Sequence, residues 1–207
     1  MLVLDSYVER PDFLSQLTNL EYLQLVNSNI YSLKGIQHAE KLKMLHAPNN
    51  NIESLEPLQD LTELESVSLT DNQISTIEPL TNLKNLTSID LNRNHITSIN
   101  SLKKLTQLES LMLNENLITN IDAVESLTQL RLLWLENNNL TNIDALSHLP
   151  QLTNLSLKDN SIKDVQALQP LEQLELLYLE GNPIEDQKQI ENLMKNSDDL
   201  SIDVLED

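Results

Sequence analysis

The chain has 207 residues, a formal net charge of −19, no cysteine and only 3% aromatic residues. Such acidity speaks against phosphate backbones and anionic membrane surfaces, whose binding is driven by Lys and Arg, and it favours a basic protein partner. The missing cysteines exclude disulfides, thiol nucleophiles and thiolate-held metals, and no apolar run reaches the roughly 20 residues that span a bilayer.

Residues 1–19 read as an incomplete first turn. From Leu20 the pattern LxxLxLxxNxI occurs eight times at a spacing of 22 residues, its first leucine falling at Leu20, Leu42, Leu64, Leu86, Leu108, Leu130, Leu152 and Leu174. A fixed period of this length marks a solenoid, in which each turn buries its apolar face only against its neighbours. Numbered from that leucine, positions 4 and 6 alternate with polar residues, the period of a short strand with one buried face. From position 11 the apolar spacing becomes three, as in Ile74, Ile77, Leu80 and Leu83, which predicts a 3₁₀ or short helical return path. The expected fold is therefore α/β, a right-handed solenoid with parallel strands on its concave face and short helical turns on its convex face.

Position 9 is asparagine in seven of the eight copies: Asn50, Asn72, Asn94, Asn116, Asn138, Asn160 and Asn182. An amide just after a strand can satisfy loop backbone groups that no ladder pairs, so these residues read as a structural ladder. Copy one carries Ser28 there, which predicts a looser first turn, and Ala39 with Ala47 replaces two bulky core residues at neighbouring levels.

In residues 185–207, Glu185 to Asn196 reads as a helix with Ile190, Leu193 and Met194 on one side, acids in its first turn and Lys195 near its end. Leu200, Ile202 and Val204 then alternate as a final strand, completing a helix–strand cap. At the other end, Met1, Val3, Ser6 and Val8 fall at positions 4, 6, 9 and 11 of the partial turn, which puts Leu2 and Leu4 on the concave side. A slip of one residue buries them instead, and the sequence leaves both registers open.

These residues resemble the 22-residue leucine-rich repeats of the internalin and Sds22 types, over about residues 8 to 184. Pro57 and Pro79 in Glu-Pro-Leu, with Leu61-Thr62, Leu105-Thr106 and Leu127-Thr128, look particularly like internalins, whereas Gly181-Asn182-Pro183 before a helix is partly similar to the Sds22-type cap. The resemblance implies a non-enzymatic module that binds a protein or peptide through its concave face. The alternatives are an intracellular phosphatase-regulatory subunit and a spacer or targeting arm of a larger protein. An internalin-like fragment belongs at the cell surface or outside the cell, a stand-alone member in the cytoplasm.

By strand alternation, concave side chains come from positions 3, 5, 7 and 8. Position 5 reads Gln24, His46, Ser68, Asp90, Met112, Trp134, Ser156 and Tyr178, and position 3 includes Tyr22, Met44, Leu132 and Leu176. The chain's single tryptophan thus falls on the exposed side, beside Met112, Leu132, Leu176 and Tyr178. Exposed aromatics among apolar neighbours have the composition of interaction hot spots. Trp134, Met112, Leu132 and Tyr178 are the expected anchors, with Leu176, Tyr22 and His46 on the same surface and Asp90, Glu115 and Glu136 as charge complements. An incidental surface, or a contact between copies of the chain, is the competing reading.

His46, Ser68 and Asp90 stand on adjacent rungs, but a catalytic triad needs histidine between serine and aspartate, and here serine is in the middle. His38, His95 and His148 fall at other repeat phases, so neither metal nor cofactor is expected, and with two glycines there is no phosphate-binding loop. The sequons at Asn85, Asn139 and Asn154 are by-products of the repeat.

Overall fold

The computed structural model describes residues 1–4, 11–196 and 200–203; Ser6, Val8 and Val204 of the two terminal turns lie outside them. Ten strands lie among the described residues: β1 (Leu2–Leu4), β2 (Tyr22–Leu25), β3 (Met44–His46), β4 (Ser66–Ser68), β5 (Ser88–Asp90), β6 (Ser110–Met112), β7 (Leu132–Trp134), β8 (Asn154–Ser156), β9 (Leu176–Tyr178) and β10 (Ser201–Asp203). They form one parallel sheet in chain order. Among the described residues eight 3₁₀ turns, such as Glu56–Leu58 and Asn100–Lys104, make the return paths, so the strand–turn alternation follows the switch from a period of two to a period of three.

From β2 to β9 residues of equal repeat position stand side by side, as in Ser88 beside Ser110 and Met112 beside Trp134. The pairing outlasts the short strands. Backbone N–H groups at positions 6 and 8 donate to the next turn, Leu113 to Trp134 at 2.8 Å and Glu115 to Glu136 at 2.7 Å. On the return side Leu117 N–H donates back to Ile96 at 2.9 Å. Inside the coil, Leu64, Val67, Leu69, Ile74, Ile77, Leu80 and Leu83 are at most 1% exposed, and Ala39 and Ala47 are equally buried. At about 25 cal/mol per Å² of apolar surface, this continuous column is the main favourable contribution to the fold.

The position-9 asparagines join consecutive turns. Asn116 Nδ2 donates to Leu91 O of the preceding turn at 3.0 Å and to Leu113 O of its own at 3.1 Å. Its Oδ1 accepts from Ile96 N–H at 3.0 Å. The same geometry recurs from Asn50 to Asn182. Among the described residues no buried side-chain nitrogen or oxygen lacks a partner. Ser28 is fully buried in the first copy, where its Oγ donates to Val26 O at 3.0 Å and its N–H to Asn50 Oδ1 at 3.1 Å.

Just before each of these residues the backbone turns left-handed. Asn27, Asn49, Asp71, Arg93, Glu115, Asn137 and Asp159 have φ between 50° and 56°, and Gly181 completes the column at 71°. Non-glycine residues pay about 1–2 kcal/mol in this region. The inter-turn hydrogen bond each makes, such as Arg93 N–H to Asn114 O at 2.8 Å, offsets part of that cost. At Gly181 a Cβ would also run into the Asp159 carboxylate, which would have to move aside.

The terminal turns depart from the repeat length. Leu2 stands beside Leu23 rather than Gln24, so the first strand takes the slipped register: Leu2 packs against the core while Val3 joins the exposed column beside Gln24. At the other end Ile202 stands beside Leu177, which makes the last turn longer than those before it. The capping helix α1 (Gln187–Asn196) begins two residues later than the composition predicts, because Asp186 lies outside it and accepts Lys188 N–H at 3.0 Å. The expected acids therefore precede the first turn. Ile190 and Leu193 are buried, whereas Met194, one turn on from Ile190 along the same side, is 52% exposed.

Replacing Asn116 with alanine leaves three carbonyls, those of Leu91, Leu113 and Asn114, and the Ile96 N–H without their amide partner. Stability should fall by about 1–3 kcal/mol, read from urea unfolding; an unchanged midpoint would show that the ladder is decorative.

Candidate functional site

The sheet brings together some of the expected residues and separates others. Met112 pairs with Trp134 on β6 and β7, Leu132 lies on β7, and Leu176 and Tyr178 lie on β9, two rungs further on. Trp134, Met112, Leu132 and Leu176 are half-buried and Tyr178 is 37% exposed, so none belongs to the core. Leu133, between Leu132 and Trp134, is fully buried. Tyr22 and His46 stand five and four rungs from Trp134, about 24 and 19 Å at the spacing of a parallel sheet, and belong to a different part of the face. The Tyr22 hydroxyl is already engaged with Gln24 Oε1 at 2.8 Å.

The acids divide by what holds them. Asp90 accepts from Thr70 Oγ1 at 2.6 Å, Ser68 Oγ at 3.3 Å and Asn92 N–H at 3.3 Å. Its carboxylate is thereby tied to the sheet, and the serine hydroxyl that a triad would turn toward His46 points to Asp90. Glu115 pairs with Arg93 at 2.9 Å, and the same guanidinium reaches Asp71 at 3.2 Å. The hydrogen bonds that Arg93 donates to Glu115 and then to Asp71 raise its pKa, so this stack is an acid–base–acid sequence along one column. Glu136 is different, because its carboxylate has neither a hydrogen bond nor an ion pair among the described residues.

Glu136 borders a concave-face notch of about 320 Å³. Trp134 and Tyr178 line it with Ser156 between them on the middle rung, and Asn114 and Lys158 line it beside Glu136. Asp203 closes the far end next to Tyr178. Ser156 is only 5% exposed and too short to fill the gap between the rings. Lys158 is paired with Glu180 one turn on, and that hydrogen bond raises its pKa. Sequence reasoning did not single out Ser156, Lys158, Asn114 or Asp203 as a group. Three of them were accessible through the rule that equal positions stack, whereas Asp203 depends on the longer last turn. Asn114 also belongs to a short second ladder: Asn92 Oδ1 accepts Asn114 N–H at 2.7 Å, and Asn114 Oδ1 accepts Glu136 N–H at 2.8 Å.

Among the described residues no cluster of three or more His, Asp or Glu could hold a metal ion, and no helix is long and apolar enough to cross a membrane.

A strand, an asparagine ladder and a 3₁₀ return repeated in step define a leucine-rich-repeat solenoid. Family models agree: one described as "Leucine Rich repeats (2 copies)" matches residues 40–82, 62–104, 84–127 and 106–148, and a second, "Leucine rich repeat", matches 129–184. The chain belongs to the leucine-rich repeat family. Among solved structures it is similar to an internalin of Listeria monocytogenes, InlF, with 29% identity over 98% of this chain and 59% of that one, at a TM-score of 0.88. It is also similar to internalin C2 of the same organism, with 29% identity, 93% and 84% coverage and a TM-score of 0.84. A leucine-rich-repeat protein of Leptospira interrogans matches at 27% identity over 95% of this chain and 52% of that one, with a TM-score of 0.86. The chain thus spans little more than half of the first and third of these proteins. Comparison with curated proteins finds no match.

The side on which Trp134 lies can be tested against its neighbour. Trp134→Ala should change unfolding free energy by no more than about 1 kcal/mol, whereas Leu133→Ala should cost about 2–5 kcal/mol. Equal losses in a denaturant titration would place the indole in the interior.

Proposed function

We propose that this chain is a non-enzymatic recognition module of bacterial internalin-like type, gripping a protein or peptide across its concave sheet. One observation carries the reading: Trp134, Met112, Leu132, Leu176 and Tyr178 form a half-exposed aromatic and apolar patch on strands held in step by the asparagine ladder. Rigid strands order these side chains before contact, so docking costs little further conformational entropy. Trp and Tyr are enriched among residues that dominate binding energy. Similarity to two internalins supports the same reading. The net charge of −19 supports a basic partner. The charge complement belongs chiefly to Glu136, since Asp90 and Glu115 are already held within the sheet.

Peptide-display selection against the immobilised chain, followed by calorimetry of the selected peptide, supplies the test. Trp134→Ala should weaken the peptide by about 2 kcal/mol or more, near 30-fold, with the fold intact. A peptide indifferent to Trp134→Ala but displaced by Glu125→Arg on the opposite, 3₁₀ side would refute the assignment.

A further inference from the structure

The notch between Trp134 and Tyr178 carries a chemical preference of its own. Two rungs of about 4.8 Å separate the aromatic positions, so a group seated above Ser156 lies about 5 Å from each, inside the roughly 6 Å range of cation–π attraction. Ser156 forms the floor and is itself nearly covered. The notch volume of about 320 Å³ accommodates a long side chain.

The charge around this space is negative. Glu136 and Asp203 line it with carboxylates that form no ion pair among the described residues; the ammonium of Lys158 is bonded to Glu180 and feels Asp203 only as a weaker, longer-range charge, so the acids outnumber the one cation. An anion would meet the carboxylates of Glu136 and Asp203, and an aliphatic side chain would desolvate them without return. A cation satisfies both. A planar guanidinium also layers against aromatic faces and offers its N–H donors as a flat fork to carboxylates at its edge, whereas a compact ammonium carries three donors on a point charge with no face to stack.

We infer that the Trp134–Ser156–Tyr178 notch is a subsite for an arginine side chain of the partner, its guanidinium layered between the aromatic walls and facing Glu136 and Asp203. This rests on the reading of the concave sheet as a recognition face and names the chemistry of one contact within it.

Trp134 is the only tryptophan in the chain, so its emission reports directly on the notch. The intact protein is titrated with acetyl-Gly-Arg-Gly-amide, and in parallel with the citrulline, lysine and aspartate counterparts. The arginine peptide should give a saturable change, at least tenfold weaker for neutral citrulline and several-fold weaker for lysine, and diminished by salt. The paired substitution of Glu136→Gln with Asp203→Asn should weaken it about tenfold, and Tyr178→Ala should abolish the saturable change. No saturable response to arginine, or equal responses to citrulline, lysine or aspartate, overturns the subsite. If that happens while a display-selected peptide still loses affinity on Trp134→Ala, the subsite falls and the recognition face stands. If arginine saturates as described but selected peptides ignore Trp134→Ala, the subsite stands and the wider face falls.

Discussion

Each of the first seven repeats of this coil is closed by an amide that belongs to the next one. Asn116 satisfies the Leu91 carbonyl and Ile96 N–H of the turn before it while holding its own loop through Leu113. A solitary turn would leave those groups to solvent, so the ladder makes stacking and folding one event. The apolar column supplies most of the favourable free energy, but it is indifferent to small slips. The asparagines are not, because an amide offset by one residue would miss both turns.

That constraint governs the surface as well as the interior. Because the repeat length is constant from β2 to β9, any side chain on the strand face has known neighbours one rung either side. Met112, Trp134, Ser156 and Tyr178 form a sequence of large, large, small, large along one column, and the small member opens the notch. The notch therefore follows from side-chain volumes at a single repeat position rather than from a loop or a hinge. Ordered strands beneath it make it rigid, which suits recognition more than chemistry that requires closure.

Much of this was legible in the sequence, and the remainder was hidden for physical reasons. The core levels, the asparagine ladder and the outward side of Trp134 all follow from periodicity. The register of the first strand did not, because Leu2 and Val3 are both apolar and alternation cannot choose between them; packing places Leu2 inward. The start of α1 was misplaced because acids next to a helix serve as cap or first turn equally well in composition, and the backbone hydrogen bond to Asp186 decides. Glu115 and Asp90 read as free charges, since pairing requires side-chain geometry: Arg93 reaches both Asp71 and Glu115, and Thr70 reaches Asp90. Asp203 joins the notch through the longer last turn, which no repeat rule predicts.

The Asp71–Arg93–Glu115 stack also bears on how many turns the protein can have. Excising the single repeat that carries Arg93 would preserve every hydrophobic level and the asparagine ladder, and nothing in the core would register the loss. It would, however, set Asp71 directly against Glu115 on neighbouring rungs, two like charges where the intact coil has an alternation. Copy number, which a uniform interior leaves arbitrary, is thus recorded on the outside of the molecule in the order of its charges.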